Sequence, residues 1–213
     1  EEISVIPHGT NPDVFFDRGK NESREKLGLS SDEFLFLFVG TLNFPAYISG
    51  LESFFEAFSA FRIECPKSRT LVVGDGKLRQ ALQKKAADLG VTSQVEFLGY
   101  KKNEEVPFWI SSSDICLQVW VPEQKEREGL SLKLSSYLAC KRRVIITDIP
   151  GFRELTLPFD PLLWSPEIDG DMERCLQKAW EERAIWDKGE KQRQFIVDNF
   201  TWEISAKKIQ ELL

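Results

Sequence analysis

The sequence predicts an α/β fold: a doubly wound parallel sheet with helices on both faces and a helical C-terminal tail. Three observations point there. From residue 34 onward, short apolar runs alternate with amphipathic helix patterns, which implies βαβ units and a parallel sheet. Phe34-Leu-Phe-Leu-Phe-Val39 is apolar at every position, the mark of a strand covered on both faces. Most of the expected strands run into loops with glycine in their first few residues, at the strand ends where such sheets hold ligands.

The elements follow in order. After the first strand, Leu51, Phe54, Phe55, Phe58 and Phe61 form one stripe of a helix. Thr70-Leu-Val-Val73 is the second strand, broken by Gly74-Asp-Gly76. Leu78, Ala81, Leu82, Ala86 and Leu89 then mark a second helix. Gln94-Val-Glu-Phe-Leu98 is the third strand, and Glu104 to Ser112 reads as a short helix. Asp114 to Val119 is the fourth strand, Ser131 to Cys140 a helix, and Arg143 to Thr147 the fifth strand. The loop after it runs from Asp148 to Gly151. Beyond residue 165 three helices are expected: Asp169 to Arg183, Lys188 to Asn199, and Thr201 to Leu213. Thr201 is the N-cap of the last, with Ile204, Ile209 and Leu213 beneath it. This divides the chain into a lead-in (1–33) with one short strand from Ile3 to Ile6, a core (34–165), and a helical tail (166–213).

Composition narrows the function. The 213 residues suffice for one ordinary domain, and 42% are hydrophobic, so the chain is globular. No apolar run approaches the ~20 residues of a membrane span. The net charge is −6, from 28 basic and 34 acidic residues, which argues against nucleic acid as a partner. Cys65, Cys116, Cys140 and Cys175 are scattered and read as buried thiols of a reducing, cytoplasmic compartment. The chain opens without Met and is read as a piece of a longer protein.

The most informative stretch is Glu128-Gly-Leu-Ser-Leu-Lys-Leu-Ser-Ser-Tyr-Leu-Ala-Cys140. An acidic residue and a glycine lead straight into a helix. A helix start leaves backbone N–H groups unpaired at its positive dipole end, a seat for a diphosphate. The acid beside it can grip hydroxyls of whatever the diphosphate carries.

Several motifs, taken in order, resemble the large retaining, glycogen-synthase-like group of GT-B glycosyltransferases (group 1). They are Ile3-Ser-Val-Ile-Pro-His-Gly9 with Val14-Phe-Phe16, Phe38-Val-Gly-Thr-Leu42, Val72-Val-Gly-Asp-Gly76, Val95-Glu-Phe-Leu-Gly99, Asp114-Ile-Cys-Leu117, Glu128-Gly-Leu130 and Phe200-Thr-Trp-Glu203. The resemblance covers essentially the whole chain. It implies a Rossmann-like, C-terminal, donor-binding half of a GT-B fold that holds a nucleoside-diphosphate sugar and needs no metal or other cofactor. The acceptor would lie in a missing N-terminal domain, which would also carry any peripheral membrane association at the cytoplasmic face. The helix from Trp202 would cross towards that half and here leave an apolar patch exposed. As an isolated half the chain would be inactive.

The resemblance also assigns roles. Glu128 matches the first Glu of the family's paired-Glu motif and would hold donor sugar hydroxyls. Gly129, Leu130, Ser131 and Leu132 would offer N–H groups to the diphosphate, and Lys133 would reach a phosphate unless it is a surface lysine. Gly40, Thr41, Gly74 and Gly76 belong to the ligand-facing loops, Lys77 is a further phosphate-facing base, and Tyr100 would stack on the nucleobase. Ser136 stands where the family has its second Glu and gives no bidentate grip on a ribose. The loop Gly40 to Gly50 holds no cation, although the family places an Arg and a Lys there, and Ala139 to Arg143 replaces a usual Gly and Pro. These losses keep a second expectation open: a degenerate, non-catalytic scaffold or partner domain. A different enzyme on the same fold, such as a nucleotide-sugar epimerase, would need cleft acid/base groups that the sequence does not offer. No strand is followed by Gly-x-Gly-x-x-Gly, which argues against a dinucleotide oxidoreductase. His8 reads as structural, Asp169-Gly-Asp171 as acids at a helix start rather than a metal site, and Trp120 as the tryptophan placed to meet a sugar.

Overall fold

The computed structural model describes residues 6, 8–121 and 131–212. Six parallel strands form one sheet: β1 (Phe34–Val39), β2 (Ser68–Val73), β3 (Val95–Gly99), β4 (Ile115–Gln118), β5 (Arg143–Thr147) and β6 (Leu162–Trp164). Their order is β3-β2-β1-β4-β5-β6, so the winding reverses between β1 and β4. Such a reversal opens a crevice at the carboxyl ends of the strands. The register is regular at the centre, with Phe38 opposite Val72 and Val39 opposite Val73.

Strand alternation supplies two cores. Phe34, Phe36 and Phe38 face one side and pack under α2 (Pro45–Glu64), α3 (Arg79–Asp88) and α7 (Asp171–Glu181). Phe36 meets Phe54, Phe61 and Phe58 edge-on at 5.3, 5.7 and 5.9 Å, the geometry that aromatic quadrupoles favour. Leu35 and Leu37 face the other side, under α4 (Val106–Ser112), α5 (Leu132–Ala139), α6 (Pro150–Thr156) and α8 (Gly189–Asn199). All four cysteines are buried free thiols, as expected. Burial pushes Cys116 and Cys175 up to about 12, which leaves both inert as nucleophiles.

Four elements are additional to the sequence expectation: α1 (Lys20–Leu27), α6, the 3-10 turn at Leu157–Phe159 and β6. Asp114 precedes β4 instead of opening it, and the helix expected from Glu104 begins at Val106. The last helix, α9 (Trp202–Gln210), is capped by Thr201, whose Oγ1 accepts from the Ile204 amide at 3.3 Å. Ile209 is exposed rather than beneath that helix; with Trp202 and Leu212 it forms an apolar stripe open to solvent. The lead-in packs on the start of α9 through a parallel bridge between Thr10 and Thr201, and the exposed His8 meets Trp202 edge-on. Of the strand expected at Ile3 to Ile6, residues 3–5 lie outside the described residues and Ile6 is in no strand. Among those described, no helix is long and apolar enough to cross a membrane.

Candidate functional site

The loops after β1, β2 and β3 are sewn together by backbone bonds. Gly40 N–H donates to Val73 O at 2.9 Å, Leu42 N–H to Asp75 O at 2.9 Å, and Gly74 N–H to Gly99 O at 2.8 Å. Gly74 makes this approach possible. Its φ is 134°, and a Cβ there would lie 1.9 Å from the Gly40 carbonyl oxygen, so no other residue fits without moving a loop. Around these loops opens a cavity of about 350 Å³, lined among others by Val39, Gly40, Gly74, Tyr100, Lys101 and Val106. Its walls are mostly apolar, as expected of a pocket for a flat ring system.

Side chains fix the rim. Asp75 accepts from the Gly76 amide at 2.8 Å and from Arg79 at 2.9 Å, and Arg79 also reaches Phe97 O at 3.0 Å. Asn43 bridges Thr41 and the Lys77 amide at 2.7 and 2.9 Å. The Lys77 side chain points to solvent ahead of α3, and Tyr100 is 77% exposed at the tip of its loop. Tyr100 therefore covers nothing in the fold.

Helix α5 brings the second half of the site. Tyr137 positions it: the phenol oxygen accepts from the Val39 amide at 2.9 Å, which ties the helix to the end of β1. At its far end, Arg193 and Gln192 of α8 donate to the Ala139 and Leu138 carbonyls at 2.9 and 3.3 Å. Cations suit a helix C-terminus for this reason. At the near end Ser131 makes no side-chain capping bond, which leaves the first-turn amides open among the described residues. Ser136 spends its hydroxyl on Leu132 O at 2.9 Å.

Lys133 is not a surface lysine. Its Nζ lies 3.4 Å from the Tyr47 ring centroid and 4.7 Å from that of Phe38. It also presses on Gly40, within 3.2 Å of the place a Cβ would take. Burial lowers its pKa from 10.5 to about 7. A cation against Gly40 thus comes from α5, across the crevice, rather than from the loop between Gly40 and Gly50.

The structure therefore brings Gly40, Thr41, Gly74, Gly76, Lys77, Tyr100, Ser131, Lys133 and Ser136 to one edge of the sheet, with Lys77 and Tyr100 at its exposed rim. Glu128, Gly129 and Leu130 lie outside the described residues. Trp120 is corrected: it is buried, its ring against Tyr47 and Phe152 at 5.4 Å each, so it supports the wall and does not stand open to a sugar. Sequence reasoning missed Tyr47 and Gln118. The Gln118 side chain, at the end of β4, is fully buried, and neither of its amide atoms has a partner among the described residues. Alternation along β4 carried the signal, because one polar residue interrupts an apolar strand. Asp171 opens α7, accepting from the Ser165 amide at 2.6 Å and from Arg174 at 2.7 Å, which accounts for the Asp169-Gly-Asp171 sequence. No metal-binding cluster occurs among the described residues.

Comparison with known proteins fits this geometry. Residues 33–172 match the model of the family described as glycosyl transferases group 1. A D-inositol 3-phosphate glycosyltransferase of Streptosporangium roseum is 29% identical over 160 residues, 71% of this chain and 35% of that protein. An alpha-monoglucosyldiacylglycerol synthase of Acholeplasma laidlawii is 28% identical over 135 residues, 61% of this chain and 32% of that protein. The chain thus spans about a third of the curated relatives it matches. Among solved structures, sucrose-phosphate synthase from Thermosynechococcus elongatus superposes with TM-score 0.81 at 23% identity, over 98% of this chain and 51% of that one. Anabaena HepE, solved with UDP and glucose, superposes at 0.78 and 17% identity, over 98% and 56%. The C-terminal domain of a group 1 glycosyl transferase (LpcC) from Francisella tularensis superposes at 0.70 and 16% identity, over 91% of this chain and the whole of that one. With two thirds of its length inside the family model and a fold matching the C-terminal half of GT-B glycosyltransferases, the chain belongs to the group 1 glycosyltransferases.

Proposed function

We propose that this chain is the donor-binding half of a glycosyltransferase that moves a sugar from a nucleoside diphosphate to an acceptor, with retention at the sugar carbon. One observation carries the reading: the three glycine loops and the start of α5 converge on one crevice, and Lys133 of α5 meets Gly40 from across it. Leaving-group charge is the expensive part of such a transfer, and preorganised dipoles and cations at the diphosphate lower it most. The apolar cavity beside Tyr100 takes the base, the loops and the first turn of α5 take the diphosphate, and Glu128 holds the sugar. The UDP and glucose named for HepE support a nucleotide-sugar donor. The transfer requires no metal or cofactor. The transfer serves carbohydrate or polysaccharide synthesis, in the cytoplasm or at the cytoplasmic face of a membrane; the name alpha-monoglucosyldiacylglycerol synthase supports a glycolipid product.

The exposed stripe of Trp202, Ile209 and Leu212 then faces an N-terminal acceptor domain, which also makes any membrane contact. The isolated half binds donor without turning it over. One observation favours the second reading, a degenerate scaffold: Ser136 replaces a carboxylate and its hydroxyl is already bonded within α5.

Calorimetric titration with UDP, GDP, ADP and their sugars separates the two. Saturable binding of one base, tighter with its sugar, is the expected result. Silence from a folded sample, repeated on the full-length protein, would leave the scaffold. Glu128→Ala should weaken the nucleotide sugar about tenfold and the bare nucleotide little, the value of one charged hydrogen-bonding pair.

A further inference from the structure

We propose that donor binding at this site is coupled to uptake of a proton by Lys133, so that affinity for a nucleoside-diphosphate sugar falls as pH rises beyond neutrality. The inference rests on the donor-site reading and adds a regulation to it.

Lys133 sits in the first turn of α5, at the positive end of that helix, which disfavours a second positive charge there. Its amine lies against Tyr47, Phe38 and Gly40, and burial is what perturbs its titration. No carboxylate among the described residues stands within ion-pair distance of it. The groups facing it can be named element by element. The loop between Gly40 and Gly50 contributes only the Tyr47 phenol as a titratable group. The loop after β2 contributes Lys77, exposed at the rim, and Asp75, already held by Gly76 and Arg79, and the loop after β3 contributes Tyr100 and Lys101. From α5 comes Tyr137, engaged with the Val39 amide. The segment 122–130 carries Glu123, Lys125, Glu126, Arg127 and Glu128, outside the described residues, and the experiment covers it.

In the empty site the two aromatic faces are, among the described residues, the only compensation for an ammonium, and they favour it by about 0.5–2 kcal/mol. Burial and the helix end work against it. With its pKa near 7, the lysine is largely neutral at pH 8. A diphosphate arriving at the loops and the helix start brings two negative charges to the open side of the same amine. That restores the ordinary preference for the ammonium and returns the pKa towards that of a free lysine. The proton comes from solvent and goes to Nζ; no covalent bond changes. The sign follows: affinity is fully expressed below the empty-site pKa and is lost as pH rises from there to the bound-state pKa, at up to tenfold per pH unit.

The test is calorimetry at pH 8 in Tris and in HEPES, whose ionisation enthalpies differ. UDP-glucose, GDP-mannose and ADP-glucose are the probes, because a diphosphate diester carries no proton that titrates near neutrality. Close to one proton taken up per donor bound, with affinity about tenfold weaker at pH 9 than at pH 8, is the expected result. Lys133→Arg keeps the charge at every pH, so it should bind with no buffer dependence; Glu128→Gln should still take up the proton. Binding with the same heat in both buffers overturns the inference and leaves the donor site standing. Uptake that persists in Lys133→Arg, or vanishes in Glu128→Gln, places the proton elsewhere and also overturns it. Failure of all three sugars to bind, from a folded sample and again on the full-length protein, removes the donor-site reading and the inference with it.

Discussion

The two edges of the sheet bury cations in opposite ways. At the N-terminal edge Arg24 is buried with partners on each guanidinium nitrogen: Ser112 O at 2.9 Å, Ser31 O at 2.8 Å and Asp114 at 2.8 Å. Asp114 also pairs with Lys20 and accepts the Leu35 amide at 2.8 Å. On the same edge Arg143 meets both Asp160 and Glu182 at 2.7 Å. At the C-terminal edge Lys133 is held by two aromatic rings and a glycine, with no acid among the described residues. A buried charge with its counter-charges in place belongs to the architecture. One kept in a pocket without them waits for a counter-charge from outside.

The comparison can be broken first at its strongest point. Asp114→Ala leaves Arg24 buried with no counter-ion, and the loss of such a partner costs about 3–5 kcal/mol. Urea unfolding should show that loss, while donor affinity of the folded protein stays unchanged. A loss below about 1 kcal/mol would mean that the paired edge is not structural. Next comes Gly74→Ala, at the other edge. The methyl would strike the Gly40 carbonyl and the backbone would be strained at φ 134°, so about 2–4 kcal/mol should go. Unlike Asp114→Ala, this change should also weaken donor binding, because it separates the loops that line the cavity.

How far the sequence disclosed each edge differs for physical reasons. The central strands and α2, α3, α5, α7 and α8 were legible because apolar periodicity marks a buried face. Helix α1 was not: Lys20 to Leu27 has no apolar stripe, and it packs by burying Ser23 and Arg24. Helix α6 hid behind Pro150-Gly151, read as a loop, although proline suits the first turn of a helix. Strand β6 spans only Leu162–Trp164, too short for a pattern. At the site, glycines and the helix start were visible as motifs. The replacement of the family's Gly and Pro after α5 was visible too, and Lys141 there takes the left-handed φ of 57° that a glycine would hold more cheaply. Hidden was the association of Lys133 with Gly40 and Tyr47, since residues about ninety positions apart meet only through the crossing between β1 and β4.

Lys133→Met turns that association into a change of opposite sign. The lysine titrates near its ordinary 10.5 when unfolded and near 7 when folded. Between those values the unfolded chain holds the extra proton, so stability rises with pH across that window, and the penalty is complete below about 7. Methionine fills the stem's place without the charge. Thermal unfolding at pH 7 should show a gain of about 1–2 kcal/mol, after discounting for partial exposure and the lost ring contacts. The gain should shrink as pH approaches 10. A destabilised variant at pH 7 would assign Lys133 to the architecture, beside Arg24, and erase the contrast.

The smallest effect sharpens the ligand side alone. Tyr100 is 77% exposed and its ring covers no part of the fold, so Tyr100→Ala should leave stability within about 0.5 kcal/mol. Stacking on a base is worth about 0.5–1.5 kcal/mol, so nucleotide affinity should fall about two- to tenfold. The loss should be the same for a nucleotide and its sugar, because the ring would touch only the base. A loss confined to the sugar conjugate would move Tyr100 to the other end of the donor. No loss for either would leave an exposed aromatic on a loop that neither the fold nor the donor uses, and would remove Tyr100 from the donor site.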